Sequence, residues 1–483
     1  MKAGTVFAVL AICAFRAYTD GLSLGLARSV SAAYATNVVQ LLRRLRKVRR
    51  HGEKVVLSQS CSTKPPHPTE PGNPSFLSLS TGVRTSTTLI GVFRFVGRGN
   101  VSPGLPEFDE RLPAQSAVAN LMEKFKMEHA PAPLPPISPA LLGFVTRVTG
   151  LDLQDTKQTL KFSDIVTGEK ITVRTRGLMP ATSTCLTFHV ESADRRHHFA
   201  FRVRVAEGGT PGVEKMENEV AAFEDSLRLL RRKMSLECFF SSGRLLTPLR
   251  TLSLRHVENK LIQQGEFSLL NEFHVVAKTE GTLEDLLRVL EADAESDRAR
   301  FSITAQITSI LDFLHGAGKG QPELHPKMFL IHESGAIVLD FDIVLQEGND
   351  FPKTPFGNPV WMAPEVLQLW TGQHSSIRYD ATVDAWPTGL ILYKLWCGTL
   401  PFGLDDSKPL DNLLAVMQDA LVRINSSELS FDGCPPIPRV IQGLIQGLLR
   451  KGWDRLKPGY LIRKTAVLRT ATPDEIASIL SDR

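Results

Sequence analysis

The sequence predicts an α+β architecture of two lobes, a small β-rich lobe and then a mainly helical one, behind a Pro-rich N-terminal extension. Three observations point there. Between residues 160 and 277, short runs of β-branched and aromatic residues are separated by polar turns, the pattern of a strand meander. From Thr282 onward apolar residues recur every three or four positions, the period of one helix face. Over residues 52–140 that periodicity is weak except in Gln115–Met127, and Pro, Ser, Thr and Gly dominate, the composition of a linker.

The chain has 483 residues, enough for two or three compact units, and its 42% hydrophobic and 22% charged content is ordinary for a globular protein. The net charge of +5 is unevenly placed. Residues 1–50 hold nine Lys/Arg and one acidic residue, so the remainder carries 47 basic and 50 acidic residues. A main domain of that balance has no electrostatic footprint for nucleic acid. The six cysteines match no zinc-ligand spacing.

Residues 1–20 open with Lys2 and the apolar run Val6–Phe15, the length of a signal-peptide core and too short to span a bilayer. A buried apolar helix is the alternative. Entry to the secretory route would permit disulfides, and it would open Asn100 and Asn425, each in an N-x-S sequon, to glycosylation. In 24–51, Val30, Tyr34, Val38, Leu41, Leu45 and Val48 form one helical stripe, followed by a cluster of Arg and Lys. Such a helix can lie in a membrane interface, with its stripe in the acyl boundary and its cations on anionic headgroups. A solvated helix end or a basic processing site would give the same composition. Residues 52–140 read as a Pro/Ser-rich linker containing one short helix, Gln115–Met127.

The β-rich lobe is expected over 141–281. Strands at 160–177 are split by the turn Thr167-Gly168-Glu169, strands at 186–190 and 198–205 follow, and a helix is expected at 215–233. Residues 266–281 give a last strand and a connector. The helical lobe is expected over 282–483, with Phe301, Ile303, Ile307, Ile310, Leu311 and Leu314 marking a core helix.

The stretch QPELHPKMFLIHESGAIVLDFD, 321–342, organises the rest. It reads as a loop, a strand, a tight turn at Ser334-Gly335, a second strand and Asp340-Phe341-Asp342. Downstream lie Asn358–Glu365, containing Ala363-Pro364-Glu365; Asp384-Ala385-Trp386-Pro387-Thr388-Gly389; and Arg455. In order and spacing these resemble the catalytic loop, D-F-G, A-P-E, D-x-W-x-x-G and late arginine of protein kinases, over roughly residues 150–470. The resemblance implies a bilobal protein-kinase-like fold. It makes Glu365 and Arg455 a buried structural ion pair, and ATP and magnesium the cofactors.

Set on that pattern, several working positions are changed. The catalytic Asp is Glu323, the metal-binding Asn is Met328, the final Gly of D-F-G is Asp342, and the strand lysine is Arg202. Asp340 alone keeps its type and is the candidate metal ligand. A thioether at Met328 offers a hard cation nothing. Glu323 moves the carboxylate outward by one methylene, a displacement that can cost about 10²-fold. No glycine occurs between Gly177 and Gly208, so LMPATSTCL supplies bulk where phosphates need close backbone approach. Arg202 could pair with Glu219, or with Glu217, on the following helix, as a structural ion pair or, alternatively, as the candidate nucleotide contact.

More narrowly, IVTGEKITVRTRG, the arginine-rich helix and WPTGLILYKLWCGTLPFG with a later Cys434 resemble the rhoptry kinase family of apicomplexan parasites. That resemblance implies secretion from the rhoptry, then the host cell or the parasitophorous vacuole membrane, with 24–51 as the membrane contact. It also implies a disulfide between Cys397 and Cys434, leaving Cys61, Cys185 and Cys238 unpaired. With its degraded motifs the chain reads as a pseudokinase binding host or parasite proteins, or an active kinase of its own family. The competing expectation is a weakly active Ser/Thr protein kinase using ATP, Glu323 and Asp340.

Overall fold

The computed structural model describes residues 108, 111–129, 138–150, 159–179, 185–192, 195, 197–231, 235–341, 344–407, 412–452, 454–457 and 467–482. The expected signal peptide, the arginine-rich helix 24–51, Cys13, Cys61, Asn100 and Asp342 lie outside these residues.

The helices in chain order are α1 (Gln115–Glu128), α2 (Pro139–Thr149), α3 (Gly209–Arg231), α4 (Leu236–Ser241), α5 (Leu283–Leu287), α6 (Ala294–Gly316), α7 (Pro364–Trp370), α8 (Ala381–Cys397), α9 (Leu413–Ser426), α10 (Arg439–Leu448), α11 (Val467–Thr470) and α12 (Pro473–Ser481). The strands are β1 (Thr159–Asp164), β2 (Lys170–Met179), β3 (Cys185–Ser192), β4 (His198–Glu207), β5 (Arg250–Leu254), β6 (Leu261–Gln264), β7 (Phe267–Ala277), β8 (Gly281–Thr282), β9 (Lys319–Gly320), β10 (Phe329–Ile331), β11 (Ile337–Leu339) and β12 (Leu345–Gln346).

The expected meander closes on itself. Strand order is β4-β3-β2-β1-β5-β7-β6, and β4 also pairs with β7. β1 is the bridging piece, antiparallel to β2 on one side and to β5 on the other. Closure leaves no open edge in the ring, so its backbone groups are paired without help from outside. Alternate residues point inward. Phe162, Phe188, Phe201, Val203, Leu252 and Phe273 are buried there, and Phe162 packs edge-on against Phe201 and Phe273. α2 seats Leu141, Phe144 and Val145 against this core. α3 begins at Gly209 rather than near 215, with Pro211 in its first turn, where a missing N–H leaves no bond unmade.

In the helical lobe α6 is buried nearly all round, including Ser302, Thr304, Gln306 and Thr308. The apolar stripe read from the sequence accounts for one face. α1 accounts for another: its Val118, Leu121 and Met122 belong to the same core cluster as α6. This corrects the reading of 52–140 as a linker for its last part, because 115–128 is core. The fit is tight, since a Cβ on Gly335 would lie 2.1 Å from the Gln115 carbonyl oxygen. Buried Arg244 joins α1 to α6 by donating to Gln306 Oε1 at 2.5 Å and to Gln115 Oε1 at 3.4 Å. Gln306 Oε1 also accepts from the Ile337 amide. α1 was legible as a helix; its burial was not, because the apolar face of α6 that it covers lies far along the chain.

The expected ion pair is present. Arg455 donates to both oxygens of Glu365 at 2.6 and 2.8 Å and to the Thr382 carbonyl at 3.0 Å, and both side chains are buried. Gly389 is needed for close helix packing, because a Cβ there would lie 2.7 Å from Leu449. Cys397 and Cys434 form the disulfide that the family resemblance implies, with Cα atoms 4.6 Å apart. Cys238 is a correction: it too is disulfide-bonded, while Cys185 is buried, with its Sγ directed at the Leu186 carbonyl.

Glu365→Gln is expected to destabilise the protein by about 3–5 kcal/mol, because it strands a buried guanidinium; denaturant unfolding measures it. Replacing both Cys397 and Cys434 by Ser is expected to lower stability by about 3–4 kcal/mol, the chain-entropy value for a loop of that length, with function-independent readout by thermal melting.

Candidate functional site

Two elements bring the candidate residues together. On β4 the neighbours of Arg202, Phe201 and Val203, point into the barrel, so Arg202 points out of it, toward the helical lobe. In that lobe the β10–β11 hairpin turns at Gly335, whose φ is +77°, and delivers Asp340 directly after β11. The Asp340 amide donates to the Met328 carbonyl at 2.7 Å, which fixes where the carboxylate starts.

The outcome is a fork between the lobes. Arg202 donates through both terminal nitrogens, one to each oxygen of Asp340, at 2.7 Å each. About a quarter of each side chain remains exposed. A bidentate guanidinium–carboxylate pair of this length is a strong, oriented contact. The expected partner Glu219 lies 3.5 Å from Arg204, while the carboxylate that Arg202 engages is Asp340. The reason is the register of β4. Arg202 and Arg204 project from the same face, and only Arg204 lies beside α3.

α3 is nonetheless docked onto the Asp340 segment. Phe223 stacks on Phe341 with ring centroids 5.6 Å apart, and Ser226 Oγ accepts from the Val344 amide at 2.9 Å. His274 on β7 also packs against Phe223. Burial, then the charges of Arg204, Arg202 and Arg231, pushes its imidazole from 6.5 down to about 4. His274 is therefore neutral at physiological pH, as a cation-rich surround requires.

Glu323 occupies the catalytic loop but turns to other partners. Its Oε1 lies 3.7 Å from His325 Nε2, and a Cβ on Gly357 would come within 2.6 Å of it. Its carbonyl accepts from Gln321 Nε2. The loop is anchored below by Asp384, fully buried, whose Oδ2 accepts from the Gln321 amide at 3.0 Å and from Tyr379 Oη at 2.5 Å and lies 2.8 Å from His315 Nε2. Met328 is buried and brings a thioether to the position where the kinase pattern has a metal-binding amide. Among the described residues no three His, Cys, Asp or Glu side chains are grouped to hold a metal ion. A magnesium ion at Asp340 would have to share the carboxylate with the guanidinium and would find no oxygen at Met328. The phosphate-facing stretch is described only to Met179 and again from Cys185.

Sequence reasoning placed Arg202 and Asp340 in one cleft and missed that they pair with each other. A signal existed: once Met328 removes a metal ligand, Asp340 needs a counter-charge from the protein, and Arg202 is the cation that the kinase register places opposite.

His274 contributes stability that is complete above pH 6.5 and lost as pH falls toward 4, because the unfolded chain binds that proton and the folded one resists it. His274→Phe is expected to flatten the acid limb of the stability–pH curve.

Residues 258–455 match the protein kinase domain family. Serine/threonine-protein kinase ROP17 of Toxoplasma gondii is 27% identical over 406 residues, covering 80% of this chain and 64% of that protein. The chain thus spans less than two thirds of that relative's length. Among solved structures, the ROP18 kinase domain in complex with AMP-PNP and sucrose superposes with a TM-score of 0.57 at 18% identity, covering 77% of this chain and 96% of that one. ROP2 from Toxoplasma gondii, described as a virulence factor with a protein-kinase fold and no enzymatic activity, gives 0.56 at 16%, covering 77% and 98%. A rhoptry kinase from the same organism gives 0.54 at 19%, covering 78% and 96%. With its β-rich and helical lobes, its Glu365–Arg455 pair and these matches, the chain has a protein-kinase fold, carries a protein kinase domain over residues 258–455 and is similar to rhoptry kinases of Toxoplasma gondii.

Proposed function

We propose that this chain is a secreted pseudokinase effector that acts by binding partner proteins, host proteins or an active kinase of its own family, at a membrane surface. One observation carries the reading: both oxygens of Asp340 are engaged by Arg202. Phosphoryl transfer depends on positioned metal ions, clamped phosphates and a base at the hydroxyl. Here the metal carboxylate is neutralised by the protein, the second metal position is Met328, and Glu323 is turned toward His325. The scaffold around these positions is intact, so a folded surface remains for recognition. ROP2, of like fold, is described as lacking enzymatic activity; ROP18 is described in complex with AMP-PNP. The first is the nearer precedent for a cleft so changed.

Release from the rhoptry and attachment to the vacuole membrane belong to the same reading. They rest on the signal-like segment and the basic amphipathic stripe of 24–51. Deleting 24–51 should move the protein off the membrane; a truncated protein that still coats it would remove the anchor from the proposal.

ATP with magnesium is expected to leave the melting temperature of the wild-type protein no higher than ATP alone. Arg202→Lys, which trades the fork for a single flexible cation, should introduce a magnesium-dependent rise, approaching about 2.7 kcal/mol of stabilisation at one hundred times Kd. Robust magnesium-dependent phosphorylation of a protein substrate by the wild type, abolished by Asp340→Ala, would instead establish the active-kinase reading.

A further inference from the structure

The helical lobe contains a cavity of about 450 Å³ built from none of Arg202, Glu323 or Asp340. It lies between α5, the loop leading to α6 and the C-terminal end of α8. Leu287, Leu290 and Leu395 give it apolar walls, and Pro435 and Pro436 form one side. Those prolines directly follow Cys434, whose disulfide to Cys397 holds that side against α8. A concave, mostly apolar site of this volume suits a small molecule.

The charges on its rim are paired among themselves or with residues outside, with one exception. Arg300 holds Asp297 at 3.0 Å, and Lys394 holds Asp406 at 2.6 Å. Arg288 has three acidic neighbours along the chain, and each is engaged elsewhere. Glu284 lies 3.5 Å from Lys327, Glu291 lies 3.0 Å from Lys124, and Asp285 closes the capping box of α5 with Thr282. Arg288 is exposed on the cavity rim, and among the described residues no carboxylate lies within ion-pair distance of it. Apolar walls with a single uncommitted guanidinium call for a ligand with an apolar body and one anionic end.

We propose that this cavity is a binding site for a small amphipathic anion, a carboxylate or sulfonate on an apolar body of roughly ten to twenty carbons, with Arg288 as its counter-charge. The site is separate from the nucleotide cleft and stands whether or not the pseudokinase reading holds.

The test uses the full chain and two fluorescent probes, anilinonaphthalene sulfonate and its uncharged relative phenylnaphthylamine. Saturable binding of one sulfonate probe per chain is expected, with displacement by decanoate. Ala292→Trp, which fills the cavity from an exposed loop residue, should weaken both probes at least tenfold. Arg288→Gln should weaken the sulfonate probe about tenfold, the worth of one charge-assisted contact, and leave the uncharged one unchanged. Both positions are exposed, and unchanged circular dichroism and melting temperature verify the fold of each variant. No saturable binding, or binding indifferent to Ala292→Trp, overturns the site. Equal effects of Arg288→Gln on both probes, or none, overturn the assignment of the anion to Arg288.

Discussion

A carboxylate placed between two lobes needs a counter-charge, and everything distinctive about this cleft follows from where Asp340 finds one. In a metal-dependent kinase that charge comes from a divalent cation. Here it comes from Arg202, by two hydrogen bonds of 2.7 Å across 138 residues of sequence. The guanidinium is permanently charged and planar, so it matches the two oxygens and takes one lone-pair direction of each. The same contact ties β4 of the barrel to the end of β11 in the helical lobe. The Phe223–Phe341 stack adds α3 to that junction.

The scaffold beneath the cleft depends on other contacts. Glu365 and Arg455 neutralise one another in the core, and Asp384 gathers the catalytic loop, His315 and Tyr379 around one oxygen. None of these groups touches a phosphate, so changes at Arg202, Glu323 and Met328 leave them in place. The barrel is likewise self-sufficient, since closure through β1 pairs its ring of strands without a ligand. A folded domain with an altered reaction centre is what this separation of roles permits.

α1 shows how tertiary contacts overrule composition. The prolines on either side of it mark a linker, and its own sequence carries a modest apolar stripe. Yet Val118, Leu121 and Met122 complete the core around α6, and Gln115 joins the network of Arg244 and Gln306. The 115–128 segment of the extension is thus part of the helical lobe.

The sequence by itself determined the strand-then-helix class and the order of its elements, which are carried by local period acting within a few turns of chain. The resemblance to kinases added the Glu365–Arg455 pair and the identities of the changed cleft residues, and the narrower family resemblance added the Cys397–Cys434 link. Only the tertiary structure decided that Arg202 joins Asp340 and leaves Glu219 to Arg204, that β1 closes the barrel and that α1 is buried. The choice among carboxylates for one arginine is made by distances of a few ångströms between strands and helices far apart in sequence. Spacing along the chain does not encode those distances; packing of the two lobes does.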